Sequence, residues 1–308
     1  MRKKFIAITG VVMIAALIVA AVVGCGSKSG SSSVGDPLAF FNQAKGQLKA
    51  ATSFSLQGQI GVKFNGTSDE NSLLPSNINV PFDGAVQKTG NVPDAKLSFD
   101  TSFISNMLGG LTGSSGMSST MDVYLVQGKI YFQSPLDGAW YYSDTTSIPG
   151  LPSFITSQDY AQLLDAAKDV TLVQETSSSI KYEVSLDVNK LFPGDLSQLF
   201  GSLPQGEITP EQLQSMVDQL KQSISNTKMN VTVDKASGNP TEIAFTLDLS
   251  LQGLGDLTGG LVDMGTGVTV SFDANFADYG QKQDINLPSA AKNAKPAEDM
   301  MSGSLPNL

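Results

Sequence analysis

The chain of 308 residues carries 29 acidic against 19 basic side chains, no histidine and one cysteine. A net charge of −10 leaves no concentrated basic surface to displace counterions from phosphates, which excludes nucleic-acid binding. Without histidine, Ser-His-Asp and Cys-His catalytic sets are excluded, as are zinc sites built on Cys or His.

Arg2, Lys3 and Lys4 make a positive start, and residues 5–23 follow without a charge. A run of that length matches a bilayer-spanning helix of about 20 residues and exceeds the apolar region of roughly 7–15 residues in an ordinary signal peptide. Val22-Val23-Gly24-Cys25 resembles the bacterial lipobox. The resemblance implies that the Cys25 thiol receives a diacylglyceryl group and that residues 1–24 are a lipoprotein signal removed before it. A transmembrane anchor with an incidental cysteine is the alternative. Residues 25–35 are mostly Gly and Ser, a flexible coil suited to a tether. Losing Arg2, Lys3 and Lys4 takes the charge from −10 to −13 and leaves no arginine. Such a surface is repelled by anionic lipid headgroups, so the anchor would hold the protein at the extracytoplasmic face of the cell membrane. Gly26 carries no sorting instruction that separates an inner from an outer membrane.

Asp36 as cap and Pro37 at the first helical position predict a helix to about Ala51, with Phe41, Ala44, Leu48 and Ala51 on one side. The period then changes. Phe54, Leu56, Ile60, Val62 and Phe64 alternate with polar or small residues, predicting a half-buried strand over 53–64. Further strands are predicted at 80–87, 95–103, 121–126, 129–133 and 139–143, with Gln127-Gly128 as a tight hairpin. Ser157 caps a helix expected to reach Lys168, and strands resume at 170–175 and 180–188. Thr209, Pro210 and Gln212 open another helix whose apolar face is Leu213, Met216, Val217, Leu220 and Ile224. Strands at 229–234, 242–251 and 268–276 close the domain, which is expected to span 36–291, and 292–308 is expected to be a flexible tail.

Strands run in groups and helices interrupt them, which predicts an α+β fold on an antiparallel sheet rather than a doubly wound parallel one. Gly58, Gly61 and Gly84 inside strands would permit strong curvature. Residues 108–113 read LGGLTG and 254–261 read LGDLTGGL. They are either flexible hairpin loops or an apolar lid at a cavity mouth.

Other chemistry finds little support. Two S-x-x-K matches, at Ser178–Lys181 and Ser225–Lys228, lie on or beside strands, and K-T-G at 88–90 precedes them, opposite to the order in penicillin-binding proteins. Trp140, Tyr141 and Tyr142 could form a sugar platform or simply cover a sheet face. No cofactor is expected, and Asp and Asn spacings never meet the calcium-loop pattern.

The order of pieces resembles the LolA/LppX–LprG-type lipoproteins. The passage Leu48-Lys49-Ala50-Ala51-Thr52-Ser53-Phe54 and the hairpin Gly128-Lys129-Ile130-Tyr131-Phe132 leading to Gly138-Ala139-Trp140-Tyr141 carry the likeness. So do Val233-Asp234-Lys235-Ala236-Ser237-Gly238-Asn239-Pro240, Phe276-Ala277-Asp278-Tyr279-Gly280 and Ile285-Asn286-Leu287-Pro288. The resemblance implies a monomeric half-barrel, a strongly curved antiparallel sheet with helices on its concave side, that binds and carries a lipid or other apolar molecule. The residues expected to line such a cavity are Phe54, Leu56, Ile60, Val62, Phe64, Leu108, Leu111, Met216, Leu220, Leu254 and Leu257. A filled core serving a structural or partner-binding protein needs the same residues and is the rival reading.

Overall fold

The computed structural model describes residues 38–65, 76–88, 93–103, 119–134, 138–144, 157–191, 218, 222–250, 267–297 and 299. Among these residues, twelve strands form one curved, unclosed sheet. In chain order they are β1 (Ser53–Asn65), β2 (Asn77–Lys88), β3 (Pro93–Asp100), β4 (Thr120–Val126), β5 (Lys129–Gln133), β6 (Trp140–Asp144), β7 (Ala167–Glu175), β8 (Ser179–Leu186), β9 (Ile224–Asp234), β10 (Pro240–Ser250), β11 (Gly267–Ala277) and β12 (Lys295–Pro296). Their spatial order is β12-β6-β5-β4-β3-β2-β1-β11-β10-β9-β8-β7. Every pairing is antiparallel except β12 with β6. The sheet is a half-barrel of the α+β class expected.

Two devices in the sequence set this geometry. Gln127 and Gly128 both take positive φ, 53° and 76°, and turn β4 into β5 in the backbone twist that a two-residue hairpin requires. At Gly58 the neighbouring strand lies so close that an added Cβ would overlap the Asp273 carbonyl oxygen. Only glycine allows that approach.

The chain's first described helix, α1 (Ala39–Ala50), buries Phe41, Ala44 and Leu48, and Ala51 lies just past its end. The second, α2 (Ser157–Asp165), ends before the expected Lys168 because β7 begins at Ala167. Lys45 and Lys49 on α1 both reach Asp165 on α2, at 2.9 and 2.8 Å. Phe41 meets Tyr182 of β8 edge-on, with ring centroids 5.7 Å apart. Tyr160 of α2 meets Phe54, Phe272 and Phe276. Both helices therefore pack on the apolar face of the sheet. A single helical turn, α3 (Val188–Leu191), follows β8.

The Phe276-Ala277-Asp278-Tyr279-Gly280 stretch closes β11 by tying three strands together. Asp278 takes φ 54° and its carboxylate accepts the Ser55 hydroxyl at 2.7 Å. The Tyr279 hydroxyl donates to the Pro240 carbonyl at 2.8 Å, and the Gly280 amide donates to Ser53 at 3.0 Å. Burial pushes the Tyr279 phenol well above its ordinary pKa.

Two expectations are corrected. Ile224, placed on a helix face by its spacing, is the first residue of β9 and pairs with Leu249 across a register shift. Its apolar side chain is buried in either setting, so spacing alone could not separate the two. The chain beyond Ala291 is not a frayed tail throughout. A 3-10 helix runs over Ser289–Asn293 with Ala291 buried, and Lys295 and Pro296 then pair with Tyr141 and Tyr142. The helix expected after Thr209 falls almost wholly outside the described residues. Among those residues, no helix is long and apolar enough to cross a membrane.

Candidate functional site

Strand alternation sorts the sheet into two unlike faces. On one face, Leu56, Gly58, Ile60 and Val62 of β1 stand opposite Phe276, Ala274, Phe272 and Val270 of β11. The same row continues through Ile243, Phe245 and Leu247 of β10 and Val231 and Tyr182 beyond them. On the other side it continues through Val80 and Phe82 of β2, Leu97 and Phe99 of β3, Val123 of β4 and Phe132 of β5. The apolar face is thus unbroken from β8 to β5.

Its cover is uneven. Under α1 and α2 it is tightly packed: Phe54, Tyr160, Tyr182, Val231 and Ile243 are at most 1% exposed. Phe54 alone meets the rings of Tyr160, Phe276 and Tyr279. Away from those helices, Ile60, Val80, Phe99, Val123 and Phe132 are only partly buried. Ile60 is the informative member. It lies mid-sheet, with β2 and β11 bonded on either side, yet its side chain is not fully enclosed.

The structure gathers Phe54, Leu56, Ile60, Val62 and Phe64 on this face. Phe54, Leu56, Val62 and Phe64 are core residues at 0–6% exposure, and Ile60 is the one that is only partly buried. Cys25, Leu108, Leu111, Met216, Leu220, Leu254 and Leu257 lie outside the described residues. Val80, Phe99, Val123 and Phe132, which the sequence did not single out, are partly buried on the same face. Their alternation was legible, but which parts of the face the helices leave bare was not.

The opposite face is polar. A broad groove of about 810 Å³ crosses β3, β2, β1 and β11 there, lined by Gln57, Gln59, Asp83, Ser98, Asp273 and Asn275 among others. Burial, with Glu242 nearby, raises the Asp273 carboxyl above its ordinary pKa, against the pull of Lys181. Asp100 at the groove edge is held low by hydrogen bonds from Ser102. The aromatics singled out in the sequence divide: Tyr141 stacks on Phe132 on the apolar face, while Trp140 and Tyr142 face the polar side with Tyr124 and Tyr131. The lysines of both S-x-x-K matches lie near carboxylates, Lys181 3.8 Å from Glu242 and Lys228 3.4 Å from Glu183. Among the described residues, no group of His, Cys, Asp and Glu is arranged to hold a metal.

These features define an α+β protein built on an unclosed, curved sheet whose apolar face is only partly covered by the described helices. The chain belongs to the DUF6612 family, a family of unknown function, whose model matches residues 101–296. No curated protein matches the sequence. Among solved structures it is similar to LprF from Mycobacterium bovis, at 12% identity and a TM-score of 0.39, over 81% of this chain and 95% of that one. It is also similar to MucB in complex with MucA(peri), at 11% identity and a TM-score of 0.32, over 83% and 61% of the two chains. A chain of the Pseudomonas aeruginosa MucA/MucB complex matches at 12% identity and a TM-score of 0.32, over 82% of this chain and 60% of that one. The family shown is DUF6612, and the resemblance of the short motifs to the LolA/LppX–LprG-type lipoproteins is met at the level of fold alone.

Proposed function

We propose that the protein is a lipid-anchored, extracytoplasmic binding protein that holds an acyl-type apolar ligand against the sheet and performs no catalysis. The observation that carries this reading is the partial burial of Ile60 at the centre of the apolar face, continued by Val80, Phe99, Val123 and Phe132. Apolar surface at mid-sheet gains about 0.8 kcal/mol for each methylene placed against it, so a hydrocarbon chain is the ligand chemistry that fits. The absence of histidine and of a free nucleophilic thiol after Cys25 modification supports a non-enzymatic role. Anchoring rests on the lipobox-like Val22-Val23-Gly24-Cys25 and the Gly/Ser tether behind it. The test is titration of the full chain with a fluorescent fatty acid. Saturable binding that Ile60→Trp weakens supports the reading, and binding unaffected by that substitution opposes it.

A second reading, a structural or partner-binding envelope protein with a filled interior, is favoured by one observation. Phe82, Leu97, Leu125 and Ile130 lie on the less covered half of the sheet and are each only 6% exposed. In that case the chain's own side chains would fill the face and the fatty acid would not bind.

A further inference from the structure

We propose that the polar face of the sheet carries a second site, which binds an uncharged, polyhydroxylated glycan chain lengthwise across β11, β1, β2, β3 and β4 toward β6. The groove supplies the hydrogen-bonding half of this site. Gln57 stands opposite Asn275 on one side and Asp83 on the other, so two amides and a carboxylate form one cross-strand row. Ser98 continues that row from Asp83, and Gln59 stands beside Asp273 one step along. Among the described residues, the side chains of Gln57, Gln59, Asp83 and Asn275 have no hydrogen-bond partner within the protein. Amides that both donate and accept, next to carboxylates that only accept, match sugar hydroxyls, which do both.

The same face supplies the stacking half. Ser98 pairs with Asp122 of β4, and its hydroxyl donates to that carboxylate at 2.6 Å. Tyr124 is the next residue of β4 on that face, about 7 Å farther along the strand. Tyr124, Tyr131 and Tyr142 then form one cross-strand row over β4, β5 and β6, with Trp140 5.9 Å from Tyr124. Tyr131, Tyr142 and Trp140 are partly exposed. The groove and the aromatic shelf therefore share one face of the sheet.

Charge and geometry favour a neutral glycan over a polycation. The ammonium groups of Lys96 and Lys129 already lie over Tyr124 and Tyr142, at 5.7 and 4.6 Å from the ring centroids. They occupy the cation sites of the shelf and repel a second cation, whereas an apolar sugar face can still lie on Trp140 and Tyr131.

Trp140 is the only tryptophan in the chain, so its fluorescence reports on the shelf directly. The experiment titrates the full chain with hexamers of N-acetylglucosamine, glucose and mannose, and separately with spermine, following Trp140 emission and heat. The expected result is saturable binding of at least one hexamer with a shift in Trp140 emission. Each of Gln57→Ala and Asp83→Ala should weaken it about fivefold, the equivalent of roughly 1 kcal/mol for one hydrogen bond. These exposed positions leave the core untouched, and Trp140→Phe should lose the emission signal and weaken the binding read by heat. Silence from all three hexamers, binding that leaves Trp140 unchanged or survives both groove substitutions, or binding of spermine alone overturns the proposal. The site lies on the face opposite Ile60, so its failure leaves the fatty-acid result standing.

Discussion

Tyr160 on α2 stands edge-on against Phe276 on β11, with ring centroids 4.9 Å apart and planes at 84°. The contact fastens a helix to the central strands at the point where Phe54 and Phe272 also converge. Tyr160 is 1% exposed. Its replacement by alanine leaves a ring-sized void that packed neighbours fill only in part, and should cost about 3–5 kcal/mol. Chemical denaturation of Tyr160→Ala against the unmodified chain measures it, and a loss below about 1 kcal/mol would mean that α2 is not fixed by this contact.

Two glycines should respond in opposite directions. Gly58→Ala drives a methyl group into the Asp273 carbonyl, so the central strands must separate, and a loss of about 2 kcal/mol or more is expected. Gly46 lies on the exposed side of α1 with nothing within 4 Å of an added Cβ. Gly46→Ala should stabilise by about 0.5–1 kcal/mol through helix propensity. Equal effects in the same denaturation experiment would contradict this geometry.

Acid should weaken the helix pair. Burial pushes the Asp165 carboxyl up, but hydrogen bonds and attraction from Lys49 and Lys45 prevail and hold it below its ordinary value. A lowered pKa in the folded state means that the contribution is complete above the unfolded value of about 4 and is lost as pH falls through the folded value. Asp165→Asn should therefore be less stable than the parent at pH 7 and converge with it at low pH. Asp273 has the opposite sign. Its carboxyl is raised, first by burial and then by Glu242, so ionisation costs stability at neutral pH and the cost fades on acidification. Asp273→Asn should gain stability at pH 7 and lose that gain in acid. Melting curves across pH for both variants read the two signs.

Anchoring is tested at the thiol. Cys25→Ser removes the only atom able to take the diacylglyceryl group. Mature chain cut before Cys25 should vanish, and unprocessed precursor should accumulate. A transmembrane anchor would instead leave the N-terminus uncut in both, with masses that differ only by the exchange of sulfur for oxygen at residue 25.

Much of the fold is legible because alternation and turns are local. β5 occupies the predicted 129–133, and β1 differs from its prediction by a single residue at Asn65. Long-range features leave weaker marks. Nothing in Lys295-Pro296 signals pairing with β6, since two residues carry no period. Ile224 fits a helix or a strand equally well until its partner Leu249 is known. For the site, the sequence marks Ile60 and Phe54 alike as apolar and alternating. What separates them is that the Tyr160 ring packs on Phe54 while Ile60 stays only partly buried, and that depends on where α2, far along the chain, lands. The polar groove was invisible for a related reason: Gln57, Asp83 and Asn275 come from three strands and meet only through register.

Native mass spectrometry of the full chain released gently from membranes tests the central claim most directly. The account predicts a second population, heavier by the mass of one acyl lipid, that disappears in Ile60→Trp while the fold persists by circular dichroism. A single mass in the parent protein with no non-covalently bound lipid would contradict it.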